Sequence, residues 1–298
     1  MAKWKRFVGI TLGAILGLLM LVIAVSYAVS SVMLRKRYAV AVAPLTHPTD
    51  SASLERGRTI AEVRGCTACH SSNLSGKVLF SQFPMGRAVP PNLTSGKGGI
   101  GGVYTDADWD RAIRHGVRPD STSLIIMPSQ SYNNMRDDDL RSLVAYLKSV
   151  PPVDNVLPKT TFWPLSRILV ATGTFKPDAA LIDHSSKPSA PEPGVTAAYG
   201  DYLAGPCRLC HGQGLGGAES RESGEPPAPA LTSHGATAGW SEDEFIRTIR
   251  TGITPASKHL NNEYMPWKSF ARLTDDELRA IWLYVRSRPA SAARESER

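Results

Sequence analysis

The sequence predicts an all-α chain in which one N-terminal transmembrane helix precedes two tandem helical domains of similar build. Three observations carry that expectation. Phe7 to Leu34 contains no charged residue. The region after residue 45 repeats itself. Each repeat shows the start and stop signals of short amphipathic helices.

The first element is the apolar run. A hydrocarbon core about 30 Å thick needs about 20 helical residues, and Phe7 to Leu34 exceeds that with room for tilt. Lys3, Lys5 and Arg6 with Ala28-Val29-Ser30 also resemble a cleavable signal peptide. The run is too long for a usual signal core, which favours an uncleaved signal anchor over residues 1–37 and a single membrane span. The chain carries a formal charge of +7. Lys3, Lys5, Arg6, Arg35, Lys36 and Arg37 supply six of those charges, and no acid lies among the first 37 residues. The remainder is close to neutral, which excludes a nucleic-acid footprint.

The repeat aligns Tyr104–Val117 with Trp240–Ile253 without a gap. Ser241 with Glu244 forms a capping box, Thr105 with Asp108 a close variant, and Gly116 and Gly252 supply the left-handed stop. Met135–Pro151 matches Leu273–Pro289, each read as an amphipathic closing helix ended by proline. Upstream helical stretches at Leu54–Val63 and Ala197–Leu203 carry Gly57 and Gly200. Tyr146 and Tyr284 of the closing helices are expected to pack over those glycines or to serve as plain core aromatics. The domains are thus read as 46–152 and 195–290, joined by a linker at 153–194 and followed by a tail at 291–298. The linker holds a short apolar run, Phe162–Phe175, which is too short to span a bilayer. That run is expected to pack on the first domain or to lie at the membrane surface, and a proline-rich extended stretch follows it at 187–193.

Chemistry enters with the cysteines. Cys66-Thr-Ala-Cys69-His70 and Cys207-Arg-Leu-Cys210-His211 are two C-x-x-C-H pentapeptides that use all four cysteines of the 298-residue chain. A thioredoxin-like pair would need one such motif in a βαβ pattern. A four-thiolate zinc cage would not explain the identically placed histidines. Two thiols that bond the vinyl groups of a haem beside a histidine that binds its iron account for every position, so two covalently bound haem c groups are expected. Such attachment takes place outside the bacterial cytoplasmic membrane, which puts the C-terminal bulk on the periplasmic or outer face. No disulfide is expected there, because every cysteine is assigned.

The sixth iron position points to Met127 and Met265. Each precedes a proline and stands eight residues before its closing helix, and a soft thioether suits an electron relay. Met85 and Met135 read as core filler. His115, His234 and His259 are rival donors, but none has a histidine counterpart in the other repeat. Pro91 and Pro229 open matching Pro-x-Leu-Thr segments, whose carbonyls are expected to hold the Nδ1 protons of His70 and His211. Arg111/Arg114 and Arg247/Arg250 suit either propionates or a solvated helix face. Gly96–Gly102 lacks the Lys-Ser/Thr of a phosphate loop and reads as a flexible loop.

These motifs, with Gly101-Gly-Val-Tyr-Thr-Asp-Ala-Asp-Trp109, His115-Gly-Val-Arg-Pro-Asp120 and Asp138-Asp-Leu140, resemble class I-type cytochrome c domains. More narrowly, they resemble the membrane-anchored di- and trihaem cytochrome subunits of alcohol, aldehyde or gluconate dehydrogenases. The resemblance covers most of residues 50–152 and 195–289. It implies a small helical fold around one haem in each domain and one-electron transfer. It also implies redox partners such as a dehydrogenase subunit, a quinol-oxidising complex or a terminal oxidase. The chain departs from the trihaem members in having two domains and an N-terminal anchor. No catalytic residue is expected. The alternative is a dihaem enzyme such as a peroxidase, which needs one openable iron, and the presence of both Met127 and Met265 argues against it.

Overall fold

The computed structural model describes residues 2–185, 190–220 and 224–289. The tail at 291–298, Ala290 and part of the proline-rich stretch at 187–193 lie outside the described residues. Helices dominate: α1 (Ala2–Leu34), α2 (Ser51–Val63), α3 (Cys66–His70), α4 (Asp106–His115), α5 (Asp137–Ser149), α6 (Pro164–Ala171), α7 (Ala197–Leu203), α8 (Arg208–His211), α9 (Glu242–Thr251), α10 (Trp267–Phe270) and α11 (Asp275–Ser287). The departure from all-α is a small antiparallel sheet of β1 (Phe80–Gln82), β2 (Gly86–Ala88) and β3 (Thr161–Phe162), in that order. Phe80 pairs with Ala88, and Gly86 pairs with Phe162.

Local chemistry sets the helix ends. Thr105 and Asp108 cap α4 reciprocally, as Ser241 and Glu244 cap α9. Gly116 and Gly252 close these helices in the left-handed conformation, at φ 64° and 70°. A side chain at 252 would also strike the Trp267 ring, since a Cβ there would lie 2.4 Å from it. Thr274 and Glu277 form a third box that starts α11.

The chain divides into two compact units whose boundaries differ from those of the repeat. The first comprises Met1–Thr49, Cys69–Met135 and Val144–Lys187. Among the described residues, its α1 alone is long and apolar enough to cross a membrane. The apolar run of the linker forms α6, which packs on the C-terminal part of α1. Arg167 of α6 donates to the Ser30 and Ser31 hydroxyls at 3.3 and 3.2 Å and covers the Tyr27 ring. Beyond α6 the linker docks by two N–H donors, Asp178 to Leu124 O at 3.2 Å and Ala179 to Ser123 Oγ at 3.0 Å.

The segment Gly96–Gly102 is not the flexible loop its composition suggests. Lys97 N–H donates to Asp154 Oδ1 at 2.7 Å, Ile100 N–H to Asn92 O at 2.9 Å, and Asn155 N–H to Lys97 O at 3.0 Å. The glycines serve close backbone approach: a Cβ on Gly96 would lie 2.3 Å from Val153 O.

The second unit comprises Asp50–Ala68, Arg136–Leu143 and Pro188–Arg298. Its core gathers Tyr199, Leu203, Phe245, Leu278, Trp282 and Tyr284. Helix α7 crosses α11 at Gly200, where a Cβ would lie 1.9 Å from Ala280 O and 2.9 Å from Tyr284 Cβ. Tyr284 therefore stands over Gly200 as the sequence suggests, and Gly57 is buried on α2. Arg56 binds both Asp139 and Glu277, and the Tyr202 hydroxyl donates to Asp139 at 2.6 Å. Burial pushes the Tyr202 phenol up to about 12, which keeps it a donor at neutral pH.

Two outcomes follow from this packing. Gly200→Ala forces backbone against side chain at the α7/α11 crossing and is expected to cost about 1–3 kcal/mol, read as a lower denaturant midpoint. Asp178 is buried, its Oδ2 has no hydrogen-bond partner among the described residues, and burial pushes its carboxyl up to about 7. The unfolded carboxyl ionises near 3.8, so between about pH 4 and 7 the unfolded chain sheds a proton that the folded chain keeps, and stability falls as pH rises. Relative to the parent, Asp178→Asn is expected to remove that slope and to melt higher at about pH 8 in thermal denaturation followed across pH.

Candidate haem attachment sites

Each C-x-x-C-H motif folds as a short helical turn. In the second, His211 N–H donates to Cys207 O at 2.8 Å, and Cys210 N–H to the same carbonyl at 3.2 Å. That turn puts thiols three residues apart on one side of the backbone, with the imidazole next to the second thiol. The first motif is helix α3 throughout. None of the four cysteines is in a disulfide. Burial pushes the Cys207 thiol up to about 11, so as a thiol it is neutral.

His70 and His211 are buried, at 8% and 7% exposure. Nδ1 of His70 lies 2.8 Å from Pro91 O, and Nδ1 of His211 lies 2.7 Å from Pro229 O. A carbonyl only accepts, so each Nδ1 carries the proton and each Nε2 keeps its lone pair for a metal. Burial lowers both imidazole pKa values, and the carbonyl bond opposes that shift.

A matching loop holds each carbonyl in place. Leu93 N–H donates to Leu74 O and Leu231 N–H to Leu215 O, both at 2.8 Å. Leu74 and Leu215 are buried and left-handed, at φ 61° and 58°, a conformation that costs a non-glycine residue about 1–2 kcal/mol. Gly76 and Gly217 follow at φ 73° and 92°, and their N–H groups donate to the carbonyls of His70 and His211 at 2.8 and 2.9 Å. A Cβ on Gly76 would lie 2.6 Å from the Pro91 carbonyl carbon. Sequence reasoning missed these four residues. The available signal was the spacing His-x-x-x-Leu-x-Gly, present after both motifs.

The two methionines share a backbone device. Ser129 N–H donates to Met127 O at 2.8 Å, and Trp267 N–H to Met265 O at 2.7 Å. Pro128 and Pro266 between them have φ/ψ of −78°/60° and −75°/57°. Each Met-Pro step is therefore an inverse γ-turn. Both methionines are half-buried, and Met265 packs against the core of the second unit. In the first unit Arg114 ties α4 to this region by donating to Met135 O at 2.6 Å. In the second, Arg250 donates to Ala271 O and pairs with Asp275. Arg114 and Arg250 thus brace backbone, and Arg111 pairs with Asp108 at 2.6 Å.

The rival histidines lie elsewhere. His115 Nδ1 faces His184 Nδ1 at 3.1 Å, and His184 Nε2 donates to Ala179 O at 2.9 Å. Burial, then the neighbouring His184 and Arg114, brings His115 down to about 4. His234 and His259 are exposed. In each repeat two thiols outside any disulfide, an imidazole with a fixed tautomer and a constrained thioether form a donor set whose chemistry fits a covalently attached haem.

Residues 54–151 match the family described as cytochrome c, and residues 196–285 match cytochrome C oxidase, cbb3-type, subunit III. The chain is 30% identical over 281 residues to the alcohol dehydrogenase (quinone) cytochrome c subunit of Gluconacetobacter polyoxogenes, covering 82% of this chain and 58% of that one. It is 29% identical to the fructose dehydrogenase cytochrome subunit of Gluconobacter japonicus, covering 83% and 56%. A diheme cytochrome c-type protein of Cereibacter sphaeroides is 28% identical, covering 79% and 86%. The chain thus spans a little over half the length of the dehydrogenase subunits it matches.

The loop geometry makes a quantitative expectation. Gly76→Ala combines a left-handed strain with a backbone clash and is expected to cost about 2–4 kcal/mol. Gly173→Ala, with similar φ but nothing within 4 Å of the added Cβ, is expected to cost about 1–2 kcal/mol. Paired denaturant unfolding curves check the difference.

Proposed function

We propose, from the premise that this chain is built of two tandem cytochrome c domains, that it is an electron-transfer subunit holding two covalent haem c groups outside the cytoplasmic membrane, with α1 as its single anchor. The observation that carries this reading is the duplicated donor set: thiols, a histidine tied through Nδ1 to a proline carbonyl, and a methionine on a γ-turn. The haem domains are assigned to 46–152 and 195–290. Haem iron, when bound, supplies one-electron Fe(III)/Fe(II) cycling.

The chain's residues take the following roles. Cys66, Cys69, Cys207 and Cys210 form the thioether bonds. His70 and His211 bind iron through Nε2, and the carbonyls of Pro91 and Pro229 orient the rings and raise their basicity. Met127 and Met265 would each offer a thioether to an iron, exclude other ligands and favour the reduced state. Helix α1 has the length and composition of a bilayer span, which supports tethering beside a membrane-bound partner. The relatives named as cytochrome subunits of alcohol and fructose dehydrogenases support a dehydrogenase as the electron donor.

The mass of the purified chain is expected to exceed that of the polypeptide by two haems. Met127→Ala and Met265→Ala are each expected to lower the potential of one haem and open it to added imidazole, leaving the other unchanged in a redox titration. A ferric spectrum with a high-spin, peroxide-reactive centre in the parent protein would instead favour the peroxidase reading.

A further inference from the structure

The uncharged stretch of α1 is longer than a bilayer needs, and the structure shows where the surplus goes. Phe7 to Leu34 holds 28 residues, against about 20 for a hydrocarbon core of about 30 Å. The last turns of α1 are covered on one face: Ile23, Ser26, Tyr27, Ser30, Ser31 and Leu34 are buried or half-buried at helical spacing, while most of the rest of the helix is exposed. Helix α6 packs on this part of α1, and it brings a charge. Arg167 binds Ser30 and Ser31 and stacks on Tyr27. A guanidinium is costly in hydrocarbon, and tyrosine favours the membrane boundary. The boundary therefore falls near Tyr27, leaving Phe7 to Ser26, about 20 residues, to cross.

The segments that flank α1 and α6 are tied to the rest of the first unit. Beyond α1, Tyr38 N–H donates to Ser121 O at 2.9 Å, and beyond α6, which ends at Ala171, Asp178 N–H donates to Leu124 O at 3.2 Å. The chain beyond each helix thus docks on residues 121–124, while the Arg167 guanidinium that covers Tyr27 also lies 5.9 Å from the Phe162 ring at the N-terminal end of α6. At that end the Trp163 ring lies 6.2 Å from the Phe83 ring, and the N–H groups of Trp163 and Leu165 donate to Met85 O and Pro84 O at 3.2 and 3.1 Å. These bonds fasten the β1–β2 hairpin to the start of α6. The hairpin arm is apolar and uncovered: Val78, Leu79, Phe80 and Phe83 are exposed, Phe83 at 75%, with Leu165 beside them.

We propose that this arm and the Trp163–Leu165 corner lie in the interfacial layer of the bilayer, a second membrane contact that sets the tilt of the first unit. The proposal rests on the reading of α1 as a membrane span. A lipid surface is the occupant that these surroundings favour. The patch is continuous through α6 with the boundary of the span, and exposed Arg35, Lys36, Arg37 and Lys77 stand ready for anionic headgroups.

The test uses the full haem-loaded chain in vesicles of phosphatidylethanolamine and phosphatidylglycerol, with the photoreactive residue p-benzoylphenylalanine placed singly at position 18, 83 or 103. Val103 is 73% exposed and precedes α4, at the opposite end of that helix from the junction near 116–124. Lipid adducts at 18 and 83, with at least about fivefold less at 103, are expected. Adducts at 18 with none at 83, or labelling at 83 no stronger than at 103, overturn the inference and leave the anchor standing. No adduct at 18 removes the anchor and this inference with it.

Discussion

The bond from a buried imidazole Nδ1 to a proline carbonyl, made once in each repeat, is the constraint around which both sites are arranged. It selects the tautomer of His70 and His211, and so decides which nitrogen can meet a metal. It also explains a cost that would otherwise be odd, a buried leucine held left-handed at 74 and again at 215. That strain turns the chain so that Leu93 and Leu231 can dock and present the proline carbonyl two residues earlier. The glycines at 76 and 217 then let the proline backbone come close.

Much of the fold was legible because its rules are short-ranged. Thr105 with Asp108, and Ser241 with Glu244, announce helix starts within four residues, and Gly116 and Gly252 announce the stops. The carbonyl contacts of Pro91 and Pro229 could be anticipated because their segment recurs at the same place in both repeats. Gly200 under Tyr284 was readable for the same reason. Leu74 and Leu215 were overlooked because leucine is no turn former, and only the paired spacing after each histidine hints at its conformation.

What could not be read was long-range. Phe162 pairs with Gly86, and Arg56 reaches Glu277, far apart in sequence and without a local pattern to link them. The pairing of β3 with β2 adds a third strand to the local β1–β2 hairpin in a chain that is mostly helical, as expected. The glycines of 96–102 looked like slack, because composition alone does not separate a glycine that frees the chain from one that lets another strand of backbone lie against it. The packing units cross the repeat boundary because Asp139 of the first repeat meets Arg56 and Tyr202 in one buried cluster.

The γ-turns at Met127 and Met265 have a consequence for speed. Proline fixes φ, and a hydrogen bond across it closes the turn, so the backbone that carries each thioether has few alternative shapes. A donor atom mounted on such a rigid bracket moves little when the charge beside it changes by one. On the proposed reading of these thioethers as iron ligands, little of the driving force is then spent on nuclear rearrangement.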